Sequence, residues 1–159
     1  MKKKSIEKYL HKGDLSKITT YQAGVKQASM NRILQKHCDD ILMPYGITKM
    51  QWLIIGTVFD SGTKGIRLTE LSESLNTTMS YITNAVNLLE SKKMLARKEN
   101  SADSRSKLIS INKTFAPKCV QIEKTLREAL RSSIYSQINP AEFRIYMKVM
   151  YQLAYVDKK

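Results

Sequence analysis

Between Leu68 and Ile111 the apolar residues change their spacing twice, and that change constrains the fold more than any other feature of the chain. Leu68, Leu71 and Leu75 stand at i, i+3 and i+7, one face of a short helix. Asn76-Thr77-Thr78 interrupts it, and Ile82, Val86 and Leu89 then mark the buried face of a second helix, with Thr77 or Thr78 as N-cap. Directly after this helix, Leu95 to Glu99 and Arg105 to Ile111 read as two strands joined by a loop over Asn100 to Ser104. Two short amphipathic helices on a three-residue polar turn form a helix-turn-helix outline. A charged hairpin following at once makes that outline a winged helix-turn-helix.

The flanking sequence is helical. From Lys17 to Met43 Ile18, Tyr21, Val25, Ala28, Ile33 or Leu34, and Ile41 recur at helical spacing until Pro44 and Gly46 stop them. The run "ITKMQWLIIGTVFDSG" predicts a helix capped by Thr48, closed by Ser61-Gly62 and buried on most sides. Phe115, Cys119, Ile122, Leu126 and Ala129 or Leu130 give a long amphipathic helix with Pro117 in its first turn. A last helix takes Asn139 as N-cap and Pro140 at its first position, with Phe143, Met147, Met150 and Ala154 as inner stripe. The Lys-rich first 16 or so residues read as a short helix or a mobile arm. The expected fold class is mainly α with a small β-hairpin wing. Within one domain over residues 1–159, a DNA-binding core spans 48–111, and helical segments 17–46 and 112–157 flank it.

Charge narrows the function. The 159 residues carry a formal charge of +13, an excess that favours polyanionic partners. From Lys92 to Lys118 eight Lys or Arg face only Glu99 and Asp103, so the charge gathers at the hairpin. On the second helix of the pair the outward residues are Ser80, Tyr81, Thr83, Asn84 and Asn87, with Thr77 and Thr78 at its start. Such side chains bond to base edges and phosphates, and the major groove admits a helix that carries them. Arg105 at the hairpin tip suits a narrow minor groove, and Asp103 braces its guanidinium. Arg97, Lys98 and Lys107, together with Lys92 and Lys93, lie where phosphates of the same duplex would run.

The stretch from Leu68 to Ile111 resembles the winged-helix core of the multiple-antibiotic-resistance regulator (MarR) family. The resemblance rests on the leucine pattern of the two helices, on "LLESKKMLAR" leading into the wing, and on the Asp-x-Arg of "ADSRS". It implies a prokaryotic transcription regulator, usually a repressor, that is a homodimer through interlocked N- and C-terminal helices. It implies recognition helices in successive major grooves of a pseudopalindromic operator, with wing arginines in the flanking minor grooves. By motif match Asp103 and Arg105 take the wing roles, and Ser80, Thr83 and Asn84 take base reading. Two departures stand out. Lys93 occupies the place where family members often have glycine, so it must adopt positive φ or find another backbone geometry. Asn84 replaces a frequent Arg or Lys, which shifts any base preference. Apolar stripes at both ends of the chain supply the surface a dimer needs, and its recognition helices should lie about 34–36 Å apart.

Other sites weigh less. His37 and Asp40 of "HCDD" share a helix face, but two ligands from one helix make no metal site without partners, so no metal is expected. Cys38 and Cys119, in or beside apolar stripes, read as inert buried thiols of a reducing, cytoplasmic setting. The peroxide-sensing branch of the family carries a reactive cysteine near the start of its first long helix, where "TYQAGV" has none. Family members often hold aromatic or lipophilic effectors in a cleft, and His37, Tyr45, Met50 and Trp52 are the candidates to line one for a small-molecule effector. No cofactor and no enzymatic activity are expected, since neither a phosphate-binding loop nor a nucleophile-base constellation is present. No apolar run of about 18 residues exists and no signal-peptide core follows the basic N-terminus, so no transmembrane helix is expected. The Lys-rich arm has too few large apolar residues to anchor strongly at a membrane surface, so no membrane partner is expected. The alternative function is a winged-helix adaptor or architectural protein that binds a protein partner, or binds DNA without sequence preference.

Overall fold

The computed structural model describes residues 18–100 and 106–154. The N-terminal arm and the wing-tip residues Asp103 and Arg105 lie outside them. The chain divides between His37 and Cys38 into two units, the larger of which holds the core.

Helix α1 runs over Thr20–Leu42. Up to His37 its described side chains are exposed or half-buried, including Tyr21, Val25 and Ile33, and its buried residues are Cys38 and Leu42. A 3-10 turn over Met43–Tyr45 then ends on Gly46 at φ 68°, a left-handed conformation that glycine adopts without strain.

Helix α2 (Lys49–Asp60) begins with a complete capping box. The Thr48 hydroxyl accepts from the Gln51 amide at 3.3 Å, and the Thr48 amide donates to Gln51 Oε1 at 3.1 Å. Trp52, Ile54, Ile55 and Val58 are buried, because α2 packs against α3, α4, α5 and the second strand. Leu53 and Phe59 stay exposed.

Helices α3 (Leu68–Ser74) and α4 (Met79–Ser91) form the expected pair. Both end in the same way. Asn76 at φ 47° donates its amide to Glu73 O, while Thr77 N reaches back to Ser72 O at 3.0 Å. Lys93 at φ 57° donates to Glu90 O at 2.8 Å, while Met94 N reaches back to Leu89 O at 2.9 Å. These are Schellman closures, with a non-glycine residue in the left-handed position each time. Lys93 therefore adopts positive φ, the first of the two options its sequence position left open.

Strands β1 (Leu95–Glu99) and β2 (Lys107–Ile111) pair antiparallel from Leu95 opposite Ile111 to Glu99 opposite Lys107. Ile66 adds a bridge on the far side of β2, exchanging hydrogen bonds with Ile109 at 2.9 and 2.8 Å. Gly65, at φ 75°, allows the approach: a Cβ there would sit 2.8 Å from the Ile109 carbonyl oxygen.

Helix α5 (Ala116–Ser133) buries Cys119, Ile122 and Leu126 behind Phe115, the stripe expected of it. A 3-10 turn over Tyr135–Gln137 leads to α6 (Pro140–Leu153), which opens on an Asn139–Glu142 capping box. The inner stripe expected for α6 is half present. Phe143 stacks at a tilt on Tyr135 with ring centroids 4.7 Å apart, and Met147 is half-buried. Met150 and Ala154 are exposed, and α6 buries no residue, since its own chain covers only part of one side.

Candidate nucleic-acid interface

The polar face of α4 is set by its apolar one. Ile82, Ala85, Val86 and Leu89 are buried, which turns Ser80, Tyr81, Asn84 and Asn87 to solvent. Thr78 fixes the start of the helix, its hydroxyl accepting from the Tyr81 amide at 3.2 Å. Thr77 is half-buried in the turn. The half-buried Thr83 donates its hydroxyl hydrogen to Met79 O at 2.8 Å, which leaves its oxygen as an acceptor. Among the residues expected to touch DNA, Ser80, Tyr81, Asn84 and Asn87 thus share one exposed surface.

The basic residues of the hairpin divide into different roles. Lys107 is exposed. Lys98 turns its ammonium to the Thr63 carbonyl, tying β1 to the loop before α3. Lys92, at the C-terminal end of α4, donates to Gly46 O at 2.5 Å. Arg97 shares a strand face with buried Leu95 and so points at α4. There it donates one nitrogen to Glu90 Oε2 at 2.5 Å and another to Asn87 Oδ1 at 2.7 Å. Asn87 and Glu90 are three residues apart on the helix, the spacing that lets one guanidinium reach both. The sequence carried half of this signal: Asn87 and Glu90 share a helix face and Arg97 follows Leu95 by two. The Asn100 amide donates to Ser106 Oγ at 2.8 Å across the base of the loop.

Within the larger unit the effector candidates Tyr45, Met50 and Trp52 do not gather in one place. A cleft of about 720 Å³ lies between α2 and α5, lined by Trp52, Ile55, Phe59, Cys119, Glu123 and Arg127 among others. Trp52 is the candidate that reaches it. The Tyr45 ring has the Lys118 ammonium 5.7 Å from its centroid, and Met50 is half-buried elsewhere on α2. His37 belongs to the first unit. Burial pushes the Cys119 thiol up to about 11 and raises that of Cys38, the direction expected of inert thiols. No group of three His, Cys, Asp or Glu among the described residues is placed to hold a metal, and no described helix is long and apolar enough to cross a membrane.

No family model and no curated protein matches the sequence. Solved structures do match. A MarR-family regulator from Rhodococcus sp. RHA1 superposes with a TM-score of 0.78 at 13% identity, over 88% of this chain and 99% of that one. Sco3205, a MarR-family regulator from Streptomyces coelicolor solved in complex with DNA, gives 0.74 at 18% identity, over 87% and 88%. CouR from Rhodococcus jostii RHA1, solved with p-coumaroyl-CoA bound, gives 0.75 at 14% identity, over 84% and 92%. The likeness at these identities is one of architecture, and the fold of this chain is that of the MarR-family transcriptional regulators.

Proposed function

We propose that this chain is a non-enzymatic, sequence-specific DNA-binding transcription regulator that acts as a homodimeric repressor on a pseudopalindromic operator. One observation carries the reading. The exposed face of α4 presents Ser80, Tyr81, Asn84 and Asn87 beside a basic hairpin, on a fold that Sco3205 brings to DNA. In the proposed complex α4 lies in the major groove, where amide and hydroxyl groups meet base edges. Arg105, steadied by Asp103, enters the adjacent minor groove. Lys107 neutralises phosphate, as does Lys93 at the left-handed turn. The apolar face of α6 and the N-terminal part of α1 form the dimer. The cleft beside Trp52 takes a small-molecule effector, a reading supported by the ligand bound to CouR.

The decisive measurement is binding of the purified chain to its own upstream intergenic DNA against a scrambled duplex, across a salt series. A preference of about 10³ or more near physiological salt marks specific binding, and Arg105→Ala should remove most of it. Equal binding of both duplexes, lost together as salt rises, would leave only phosphate neutralisation and favour an architectural role. For the effector, Trp52 is the only tryptophan, so its emission reports entry to the cleft. Unchanged emission on titration with p-coumaroyl-CoA would remove that ligand from consideration.

A further inference from the structure

We infer that Arg97 is a positioning residue: it holds the side-chain carbonyl of Asn87 so that Asn87 meets DNA with its NH2 edge, as a donor to an acceptor atom. The inference rests on the regulator reading above. An unrestrained asparagine offers either edge, because a half-turn of its amide exchanges donor for acceptor. Here the choice is made by chemistry. A guanidinium only donates, so the atom 2.7 Å from Arg97 Nη2 must be the Asn87 oxygen. Turning the amide over would set its NH2 against a cation and forfeit a charge-assisted bond. Glu90 keeps the guanidinium in place through the second nitrogen at 2.5 Å, and the i, i+3 spacing on α4 fixes Glu90 relative to Asn87. The pair also neutralises Arg97, whose charge is thereby spent within the protein and withheld from phosphate.

The acceptor that Asn87 meets is either a base-edge atom, such as guanine O6 or N7, adenine N7 or thymine O4, or a phosphate oxygen. In the major groove a fixed donor disfavours the position where cytosine presents its own amino group. The wing strand thus sets the hydrogen-bonding sense of a recognition-helix side chain.

The test selects DNA from a randomised pool with the full chain as wild type, Asn87→Ala and Arg97→Met, each checked for helical content and cooperative unfolding. If the acceptor is a base, Asn87→Ala removes the preference at one position of each half-site. Arg97→Met then relaxes that same position and leaves the others intact. If the acceptor is a phosphate oxygen, both variants weaken every sequence alike, by about tenfold, with no position changed. An Arg97→Met profile identical to wild type, with a salt slope reduced by about one, would make Arg97 a phosphate ligand and overturn the proposal. Wild-type selectivity that survives Asn87→Ala unchanged in both affinity and profile would overturn it too. Were wild type to select no sequence at all, the regulator reading would fail first and this inference with it. Should Arg97→Met not fold, Glu90→Gln loosens the guanidinium without removing it. Relaxation of the Asn87 position, or with a phosphate acceptor a uniform loss of affinity at unchanged salt slope, then supports the proposal, and a variant unchanged in both profile and affinity refutes it.

Discussion

Asp39 Oδ1 accepts the backbone hydrogen of Lys49, the first residue of α2, at 2.7 Å. A carboxylate near the end of one helix thus caps the start of the next, ten residues on. It satisfies one of the four amides that a helix N-terminus leaves open and stands at the positive end of the helix dipole. Loss of such a cap costs about 1 kcal/mol, and the charge adds about 0.3–1 kcal/mol. Asp39→Ala should therefore lower stability by about 1–2 kcal/mol, read as a lower urea midpoint at unchanged m-value. Asp39→Asn keeps an acceptor and should lose less. Equal losses in the two variants would show that the acceptor is not what matters.

Lys93 holds a left-handed conformation at φ 57° in the turn between α4 and β1. That conformation costs a residue with a Cβ about 1–2 kcal/mol, and glycine nothing. Glycine returns about 0.5–1 kcal/mol of the gain through its freer unfolded chain. Lys93→Gly should therefore raise stability by about 0.5–1 kcal/mol, a midpoint shift visible in urea. It also removes a charge beside the proposed DNA surface, so the DNA-binding salt slope should fall by about one. A stability decrease would show that the Lys93 side chain contributes more than its backbone strain removes.

The winged core was readable because its signals are local. The caps expected at Thr48 and Asn139 are made in the structure, and of the two candidates Thr77 and Thr78 it is Thr78 that caps α4. The two hairpin strands are legible in the apolar residues that flank a polar loop, and their register is set by the structure. The Ile66–Ile109 bridge was not readable, because one residue pair leaves no periodicity. The hold of Arg97 on Asn87 was hidden for another reason: it depends on how β1 lies on α4, which tertiary packing decides. The stripe of α6 misled in its second half, since spacing reveals an apolar face without saying which molecule covers it.

Cys119 gives a pH signature. Its thiol is pushed up to about 11 by burial, against 9.0 for an unperturbed group. The folded state therefore keeps its proton where the unfolded state loses it. Stability contributed by this difference is complete below pH 9 and declines as pH rises through about 11. Wild type should lose more stability than Cys119→Ala on going from pH 8.5 to 10.5, whatever their difference at the lower pH. Iodoacetamide should also label Cys119 slowly at pH 8.5 in the folded chain and rapidly in urea. Fast labelling of the folded chain would mean that the thiol is open to solvent.

Helix α6 leaves Ile145 at 63% and Leu153 at 65% exposure, with Val149 between them on the same i, i+4, i+8 face, and it buries no residue in its own chain. Contiguous apolar surface of this kind marks an interaction site, and the proposed homodimer assigns it to a second copy. Ile145→Asp separates the two roles of the helix. In an isolated chain the new carboxylate sits in water and changes little. In a dimer it would be buried without a partner, at a cost of several kcal/mol. Sedimentation equilibrium should therefore find wild type dimeric and Ile145→Asp monomeric, with the same helical circular dichroism per residue. Affinity for a two-half-site operator should fall by at least about 100-fold, since one bound copy no longer holds the other close to its half-site. A variant that stays dimeric would move the interface elsewhere on the chain, and one that is monomeric yet binds DNA as tightly as wild type would separate recognition from dimerisation.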